Sequence, residues 1–476
     1  MPITKDELVF RPAHELAALV RTREVSPIEI AEAFLARIEE LNPKLNAFIT
    51  VTADEARRGA REAEREIASG AYRGPLHGIP YAPKDILATR GIRTTNGSRV
   101  TPDWVPDYES TITERLRAAG AVLLGKLNLL EFAMGSGVLS GFGPSRNPWH
   151  LDYSPSGSSS GSGTALAAYL TPLSIGTDTG GSIRAPAAAC GIVGLKQTYG
   201  RVSRYGVTTL SWTLDHAGPM TKTVADSATM LGIIAGRDPK DRTSSSEPVP
   251  DYVAALASGV GGVRIGVPRR YFFEGAHPEV EAGVRAAIGV LETRGARVVE
   301  VDVPHAELAG SAGWIVAMAE ASSFHEKRLR ETPELFDPLV RERLETAKFY
   351  SATDYIKGLR VRTILQDEMA RVFEICDVMA VPGSTELASK LDDEVAARSD
   401  VKPGSTSPAF RGGNTFLGNM TGLPAITIPC GFSKGPPELP ITIQFYGRPF
   451  DEATILRTAH AYESATDWHL RRPRLA

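Results

Sequence analysis

The sequence predicts an α/β fold with an N-terminal helical segment, and three observations support this. The first 70 residues carry apolar side chains at helical spacing. From about residue 76, short apolar runs alternate with helical stretches and many glycines, and the alternation returns after residue 250. The chain has 476 residues, of which 42% are hydrophobic, so it can bury a sizeable core.

The clearest N-terminal helix is predicted in "SPIEIAEAFLARIEELNP". Ser26 suits an N-cap, Pro27 suits the first helical position, and Glu29 completes a capping box. The apolar stripe of this helix consists of Ile30, Phe34, Ile38 and Leu41. We expect Pro43 to stop the helix, because proline has no backbone N–H to donate. A second helix is predicted in "TADEARRGAREAEREIASG", whose charges indicate a solvated face.

The alternation continues along the chain without a clean domain boundary. "ESTITERLRAAG" followed by "AVLLGKL" indicates a helix and then a strand, and "TALAAYLTPLSIGT" repeats that order. Later strands are predicted in "VRIGVP", "ARVVEVDVP", "DVMAVPGS", "PAITIPC" and "LPITIQFYG", and later helices in "PEVEAGVRAAIGVLETRG" and "DEATILRTAHAYE". We expect a single domain over residues 1–476, in which 1–70 is the helical N-terminal segment and 306–373 is a variable, largely helical region on the substrate side.

Composition and charge argue against several classes of protein. The net charge is −3 and no Lys/Arg run occurs, so neither a nucleic acid nor an anionic membrane is expected as a partner. No stretch of ~18 apolar residues predicts a transmembrane helix, and the N-terminus lacks an apolar core of signal-peptide length. Cys190, Cys376 and Cys430 lie far apart, so no disulfide framework or zinc site is expected. These patterns predict a reduced, cytoplasmic protein.

Three polar segments carry the residue types of a serine hydrolase: "PKD" at 83–85, "SPSGSSSGSG" at 154–163 and "TDTGGSIR" at 177–184. A serine hydroxyl is a weak nucleophile that needs a base and N–H donors for the oxyanion. Gly180 and Gly181 would let a carbonyl group approach the backbone. None of the nine histidines lies in these segments, so a lysine kept neutral by burial is the other known base. Lys84 follows an apolar run, where such burial is expected.

The glycine- and serine-rich stretch 132–163 is open to other interpretations. Low complexity is typical of a linker, but four large apolar residues favour an ordered active-site loop, namely Phe132, Met134, Phe142 and Trp149. "GSSSG" at 157–161 also matches a nucleophile elbow centred on Ser159. That motif needs a preceding strand, and "NPWHLDYSPS" contains two prolines and does not predict one.

The run from "SPSGSSSGSG" through "SIGTDTGGSIRAPAAACGIVGLKQTYGRVSRYGV" resembles the amidase signature family. "LHGIPYAPKDILATRGIRTTNGS", "GAVLLGKLNLLEFAMGSG" and "NMTGLPAITIPCGF" are similar to other parts of the family, so the matches extend over most of 26–465. The central third is most similar to the branch of glutamine amidotransferase A subunits. The resemblance implies a large mixed-sheet core surrounded by helices, with the signature core at 76–235, and neither a cofactor nor a metal. Ser156 and Ser160 stand where the family usually has glycine, and we expect both to be tolerated.

The resemblance also implies a Ser–Ser–Lys catalytic triad. Carried over by position, Ser182 would be the nucleophile, Lys84 the base and Ser158 the group that bridges them, 24 positions before Ser182. The family holds the bridging serine in a cis peptide, which here would join Gly157 to Ser158. Ser182 would form an acyl-enzyme, which water would then hydrolyse.

The remaining site residues follow from the same resemblance. The backbone N–H groups of the oxyanion hole would come from Thr179, Gly180 and Gly181, with Ser182 as a further candidate. The loop that lines the acyl pocket would include Met134, Gly135 and Ser136. Structural support would come from Asp178, Arg184 and Ser159.

One departure concerns the recognition of glutamine. The amidotransferase branch places an aspartate where this sequence has Gly412, and no acidic residue occurs between Pro403 and Gly422. That aspartate holds the amino group of glutamine. The arginine that binds the glutamine carboxylate has a possible counterpart in Arg343, with Arg341 as a rival.

We therefore expect a stand-alone amidase that acts on a small-molecule amide or carbamate as a monomer or homodimer. Two alternatives use the same triad. One is a urethanase or carbamate hydrolase. The other is the glutamine-hydrolysing A subunit of a tRNA-dependent amidotransferase, which would need partner subunits and an ammonia channel.

Overall fold

A mixed sheet of ten strands runs through the molecule. The structure is a computed structural model and describes residues 4–134, 140–394 and 413–475. The strands of this sheet, and the two of a small second sheet, are β1 (Phe48–Val51), β2 (Pro80–Pro83), β3 (Val122–Leu123), β4 (Gly125–Leu127), β5 (Leu173–Asp178), β6 (Val193–Lys196), β7 (His216–Thr221), β8 (Arg264–Pro268), β9 (Arg297–Val301), β10 (Val378–Pro382), β11 (Ala425–Phe432) and β12 (Pro440–Gly447).

The strand order in the large sheet is β3-β2-β5-β7-β6-β11-β12-β10-β8-β9, while β1 pairs with β4. The pairs β3–β2, β2–β5, β10–β8 and β8–β9 are parallel. The five pairs between β5 and β10 are antiparallel. The α/β class and the mixed sheet are therefore as predicted.

Helices surround the sheet. They are α1 (Lys5–Val9), α2 (Ala13–Thr22), α3 (Pro27–Leu45), α4 (Ala53–Ala68), α5 (Thr111–Ala118), α6 (Ser160–Ala167), α7 (Arg184–Cys190), α8 (Val224–Ile234), α9 (Tyr252–Ala255), α10 (Pro278–Thr293), α11 (Leu308–Glu331), α12 (Pro338–Ala347), α13 (Ala352–Ile375), α14 (Gly413–Thr421) and α15 (Glu452–Glu463). Helix α11 packs against α12, α13 and α14, while α10 and α15 pack against β11 and β12. In the described part of the chain, no helix combines the length and the apolar character needed to span a bilayer.

Helix α3 shows how the local sequence sets an element, and where it misleads. The helix begins at Pro27 with the predicted capping box between Ser26 and Glu29. It does not stop at Pro43, however, but continues to Leu45. Pro43 lies in the last turn, and the helix extends two residues beyond it without the hydrogen bond that proline cannot donate. Asn46 ends the helix in the left-handed conformation, with its N–H donated to Asn42 at 2.8 Å.

The centre of the sheet brings the predicted site together. Strands β2 and β5 are parallel neighbours, so their carboxyl ends lie at the same edge. Lys84 follows β2, and its N–H donates to the carbonyl of Ile175 in β5 at 2.9 Å. Strand β7 runs antiparallel to β5 and pairs His216 with Asp178. The end of β5 and the start of β7 are therefore adjacent.

Candidate active site

Lys84 is completely buried just beyond the end of β2. Its Nζ donates hydrogen bonds to Ser158 Oγ and Thr177 Oγ1, both at 2.7 Å. Burial lowers the pKa of Lys84 to about 7, because the ammonium loses its hydration, while the carboxylates of Asp178 and Asp215 oppose this shift. A substantial neutral fraction therefore exists near pH 7, and that fraction can accept a proton from a neighbouring hydroxyl.

Two other lysines are also completely buried, but their contacts differ. Lys126 Nζ lies 3.1 Å from a carboxylate oxygen of Asp85 in a buried ion pair. Lys196 Nζ donates to the backbone carbonyl of Gln197 at 3.1 Å. Of the three, only Lys84 donates its side-chain hydrogen bonds to hydroxyl groups alone. A hydroxyl can pass a proton onward, so Lys84 is the one suited to a relay.

The segment that carries Ser158 is hydrogen-bonded to both β5 and the loop of Ser182. A cis peptide joins Gly157 to Ser158, as the family resemblance implies, and the Ser158 side chain is buried. The Ser159 hydroxyl donates to the carbonyl of Thr177 and accepts its N–H, both at 3.3 Å. The Ser159 N–H donates to the carbonyl of Ser182 at 3.3 Å. Ser159 thus bridges β5 and the loop of Ser182.

The stretch before this segment is an ordered loop. The Trp149 indole N–H donates to the carbonyl of Cys190 at 2.8 Å, and Asn147 bonds to Ser154 and Ala189. Within residues 140–159 the structure contains turns and an isolated bridge, and no strand leads into Ser159. The nucleophile-elbow interpretation of "GSSSG" is therefore wrong.

The two glycines of the "TDTGGSIR" loop allow it to pack directly on α14. A side chain at Gly180 would place its Cβ 2.5 Å from the Phe416 ring, and one at Gly181 would lie 2.7 Å from Thr415. Gly181 also has a φ of +127°, which residues with a Cβ rarely adopt. The Thr415 hydroxyl donates to the carbonyl of Gly180 at 2.7 Å. Close packing on α14 is a reason for these glycines that the sequence alone did not indicate.

Asp178 and Arg184 form a completely buried ion pair under the same loop. The Arg184 Nη2 and Nε atoms each lie 3.0 Å from a carboxylate oxygen of Asp178. Asp178 also accepts the N–H groups of Gly181 at 2.8 Å and Ile183 at 3.1 Å. Burial would raise the pKa of Asp178, but the charge and hydrogen bonds of Arg184 outweigh it, so the pKa lies below its ordinary value. The pair therefore fixes the shape of the loop that carries Ser182.

The N–H groups of the loop differ in their partners. The Gly181 N–H donates to Asp178 at 2.8 Å, and its place in the oxyanion hole stays a prediction. Within the described ranges, the N–H groups of Thr179, Gly180 and Ser182 have no acceptor. These three groups are available to a developing negative charge. The Ser182 residue is partly exposed.

A cavity of about 190 Å³ adjoins the site and includes Thr177 and Thr179 in its lining. Its lining is mixed: the apolar side chains come from Ile86, Ala133, Val207, Leu210 and Trp212, and threonines and charged residues line the rest, including Asp215 and Asp241. Cationic residues also line it, namely Arg204, Lys240 and Arg242. Met134 is buried beside Ala133, whereas Gly135 and Ser136 lie outside the described residues. Thr177 and Thr179 are the cavity's links to the site, because Lys84, Ser158 and Ser182 are not among its lining residues.

The two arginines considered for glutamine binding are not among the residues that line this cavity. The guanidinium of Arg343 lies 5.4 Å from the centre of the Trp314 ring, and Arg341 forms an ion pair with Glu345 at 3.2 Å. Gly412 lies outside the described residues. In the ranges that the structure covers, no cluster of His, Cys, Asp and Glu side chains could hold a metal ion.

Two polar residues of the site were not predicted. Thr177 holds Lys84, and Asp215 accepts the Thr179 hydroxyl at 2.6 Å. Thr177 could have been found, because alternation along β5 places it on a different face from Asp178. Asp215 carried no such signal, because β7 was not predicted and its pairing with β5 could not be inferred.

Comparisons with known proteins identify the family. The model of the Amidase family matches residues 29–456. The A subunit of the glutamyl-tRNA(Gln) amidotransferase of Moorella thermoacetica is 44% identical, over 98% of this chain and 99% of its own. The solved structure of the corresponding A subunit from Thermotoga maritima has a TM-score of 0.81 at 31% identity, covering 98% of both chains. A bacterial aryl acylamidase of the amidase signature family has a TM-score of 0.86 at 26% identity, covering 97% of this chain and 98% of its own. On the family match and on these relatives, the chain belongs to the Amidase family.

Proposed function

We propose that this chain hydrolyses amide C–N bonds through an acyl-enzyme on Ser182, with Lys84 as the base and Ser158 as the relay. The observation that carries the proposal is the 2.7 Å contact between the buried Lys84 Nζ and Ser158 Oγ. The bond between Ser159 N–H and the Ser182 carbonyl supports it, because it holds the relay serine's segment against the loop of the nucleophile.

In the first step, neutral Lys84 accepts the proton of Ser158, which takes the proton of Ser182. Ser182 Oγ then bonds to the amide carbon, and the carbonyl oxygen becomes an oxyanion. The free N–H groups of Thr179 and Gly180 stabilise that charge. The proton returns through Ser158 to the nitrogen, the C–N bond breaks and the amine leaves.

In the second step, water replaces the amine. Its proton passes through Ser158 to Lys84 while its oxygen bonds to the acyl carbon. The ester bond to Ser182 then breaks, the Ser182 oxygen regains a proton, and the acid is released. Cys190 does not compete as a nucleophile, because burial raises the pKa of its thiol.

The 44% identity to an amidotransferase A subunit, over almost the whole chain, favours one physiological setting. In it the chain is the A subunit of a tRNA-dependent amidotransferase, where it releases ammonia from glutamine and works with partner subunits. This setting replaces the stand-alone amidase as our leading proposal. The three cysteines that the structure describes are free and buried, which is compatible with a cytoplasmic location.

A stand-alone amidase is the second candidate, and one observation favours it. No acidic residue occurs from Pro403 to Gly422, where the amidotransferase branch places the aspartate that holds the amino group of glutamine. The cavity beside Thr179 has room for a small acyl group, and Ile86, Val207 and Leu210 give part of its wall an apolar surface. Carbamate hydrolysis uses the same triad and stays a prediction from sequence.

The test is amine release from three substrates: glutamine, an acyl nitroanilide and the matching nitroaniline carbamate. The purified chain is assayed alone and after mixing with the other subunits of an amidotransferase. We expect Ser182→Ala to lower the rate by about 10⁴-fold or more and Lys84→Met by about 10²–10⁴-fold. Lys348→Met, a change of an exposed lysine, is the matched control.

The outcomes separate the candidates. Turnover of glutamine, or its appearance on adding the other subunits, supports the amidotransferase setting. Turnover of the anilide by the chain alone, with glutamine ignored in both assays, supports a stand-alone amidase. Unchanged activity in Ser182→Ala would contradict the mechanism itself.

A further inference from the structure

We propose that two buried carboxylates outside the catalytic relay, Asp215 and Glu320, are positioning residues that hold residues 208–214 in place as the specificity-determining wall of the acyl cavity. We refer to residues 208–214 as the wall segment. The inference rests on the proposed function, because it takes the cavity beside Thr179 to be where the acyl group binds. Neither carboxylate belongs to the triad.

Asp215 connects the wall segment to the oxyanion loop. One of its carboxylate oxygens accepts the Thr179 hydroxyl at 2.6 Å. The other accepts the N–H groups of Leu210 at 2.9 Å and Ser211 at 3.0 Å. Asp215 is 8% exposed and lines the cavity. A single carboxylate thus sets the distance between the wall and the N–H groups that face the oxyanion.

Glu320 holds the other end of the wall segment from α11. One carboxylate oxygen accepts the Ser211 hydroxyl at 2.5 Å and the Thr213 N–H at 3.0 Å. The other accepts the Thr213 hydroxyl at 2.8 Å and the Tyr355 hydroxyl of α13 at 2.7 Å. Arg362, also in α13, donates to Thr213 Oγ1 at 2.9 Å. Glu320 itself is not among the residues that line the cavity.

The two carboxylates should therefore act differently. Asp215 touches the oxyanion loop, so its loss should slow the reaction of every acyl group. Glu320 sets only the wall, so its loss should change the preference between large and small acyl groups. Replacing each carboxylate by its amide changes the shape of the side chain very little. It removes hydrogen bonds, because one amide oxygen cannot accept all the donors that a carboxylate accepts. Four donors face Glu320 and three face Asp215.

The experiment measures the acylation of Ser182 by p-nitrophenyl esters with acetyl, butanoyl and benzoyl groups. Ser182 Oγ bonds to the acyl carbon, the C–O bond to nitrophenol breaks, and the serine proton passes to Lys84, so the burst of nitrophenolate reports acylation alone. The variants are Asp215→Asn and Glu320→Gln. Matched controls are Asp367→Asn and Glu326→Gln, which change exposed carboxylates on α13 and α11. Thermal unfolding checks that each variant is folded.

We expect Asp215→Asn to lower kcat/KM for all three esters by about 10–100-fold, as misplacement near the reacting atoms does. Glu320→Gln should change the ratio of kcat/KM, which reports acylation, between benzoyl and acetyl esters by about 5-fold or more, mainly through the value for the benzoyl ester. Both controls should behave as wild type. If an amide variant does not fold, Thr179→Val removes the bond to Asp215, and Thr213→Val removes the bonds of that hydroxyl to Glu320 and Arg362. These variants should reproduce the two effects.

Two further readouts separate positioning from a general structural role. Thr179→Ser keeps the hydroxyl that bonds to Asp215 and should retain the rate that Thr179→Val loses. Asp215 and Asp178 are the carboxylates that raise the pKa of Lys84. Asp215→Asn should therefore shift the midpoint of the pH–rate curve to lower pH, whereas Thr179→Val should leave it in place.

The outcomes distinguish the inference from the proposed function. A wild-type enzyme that releases no nitrophenolate, or the same release by Ser182→Ala, would overturn the proposed function and this inference with it. A Ser182-dependent burst whose ester ratios are unchanged in Glu320→Gln and Thr213→Val would overturn the inference alone. Full activity of Asp215→Asn toward all three esters would do the same.

Discussion

At the scale of single residues, burial acts in opposite directions on the pKa values of Lys84 and Asp178. Lys84 gains only hydroxyl partners in the interior, so the loss of hydration lowers its pKa to about 7. Asp178 gains the Arg184 guanidinium, and its pKa falls below the ordinary value although burial acts to raise it. The same environment thus makes one residue a neutral base and keeps the other a fixed anion.

The pKa of Lys84 predicts the pH dependence of the reaction. Below pH 7 the ammonium form dominates and cannot accept the proton of Ser158, so kcat/KM should fall as pH falls. We expect kcat/KM for an acyl nitroanilide to rise with pH along a curve whose midpoint is about 7. The measurement is a profile from about pH 5.5 to 9, the range that spans the expected midpoint. A rate that decreases from pH 6 to 8 would contradict this assignment of the base.

Ser156 gives a second prediction at the residue scale. It has a φ of +60°, where the family usually has glycine, and a Cβ is unfavourable there. We expect Ser156→Gly to raise the free energy of unfolding by up to about 1 kcal/mol, after allowing for the greater freedom of glycine in the unfolded chain.

The neighbouring serine provides the matched control. Ser160 is the first residue of α6, where glycine is unfavourable, so Ser160→Gly should lower the free energy of unfolding by about 0.5–1 kcal/mol. Urea unfolding of both variants measures the difference. Shifts of the same sign and size in the two variants would show that the backbone conformation of Ser156 is not the cause.

At the scale of elements, Arg184 connects four parts of the fold. From α7 it reaches Asp178 at the end of β5, and the carbonyl of Thr415 and the side chain of Asn419 in α14, both at 2.8 Å. It also donates to the Tyr446 hydroxyl of β12 at 3.1 Å. The sequence indicated the pairing with Asp178, six positions away, but not the partners more than 230 positions away. Such contacts depend on how α14 and β12 return to the central strands.

Breaking this contact should destabilise the fold. Arg184→Met leaves Asp178 buried without its counter-charge, and we expect the free energy of unfolding to fall by about 3–5 kcal/mol. Adding Asp178→Asn to that variant should recover part of the loss, because the unpaired charge is then removed. Urea unfolding of the single and double variants is the measurement. A loss below about 1 kcal/mol in the single variant would mean that the pair contributes little.

Elements with local signals were predictable, and elements defined by distant partners were not. The capping box at Ser26 predicted the start of α3, and the apolar runs predicted β5 and β8. Strands β6 and β7 were missed, because their central positions depend on antiparallel pairing rather than on a local pattern. Asp215, which precedes β7, was missed with them.

At the scale of the whole molecule, the three completely buried lysines couple stability to pH. Burial lowers the pKa of Lys84, Lys126 and Lys196 in the folded chain, while in the unfolded chain each lysine returns to 10.5. Between the folded and unfolded values, the unfolded chain holds more protons. A higher pH therefore favours the folded chain. The effect reverses above about pH 9, where the unfolded chain loses protons from cysteines and tyrosines whose pKa burial raises, such as Cys190 and Tyr81.

We therefore expect the free energy of unfolding to rise from pH 7 to 9. A pKa of about 7 for Lys84 alone gives a gain of about 2 kcal/mol over that range. The measurement is the urea midpoint, followed by tryptophan fluorescence, at pH 7, 8 and 9. Lys84→Met should reduce the slope, because one titrating group is lost, whereas the exposed-site variant Lys348→Met should not. A pH dependence of the midpoint that is the same in Lys84→Met as in the wild type would contradict the prediction, because Lys84 would then not titrate between its folded and unfolded values in this range.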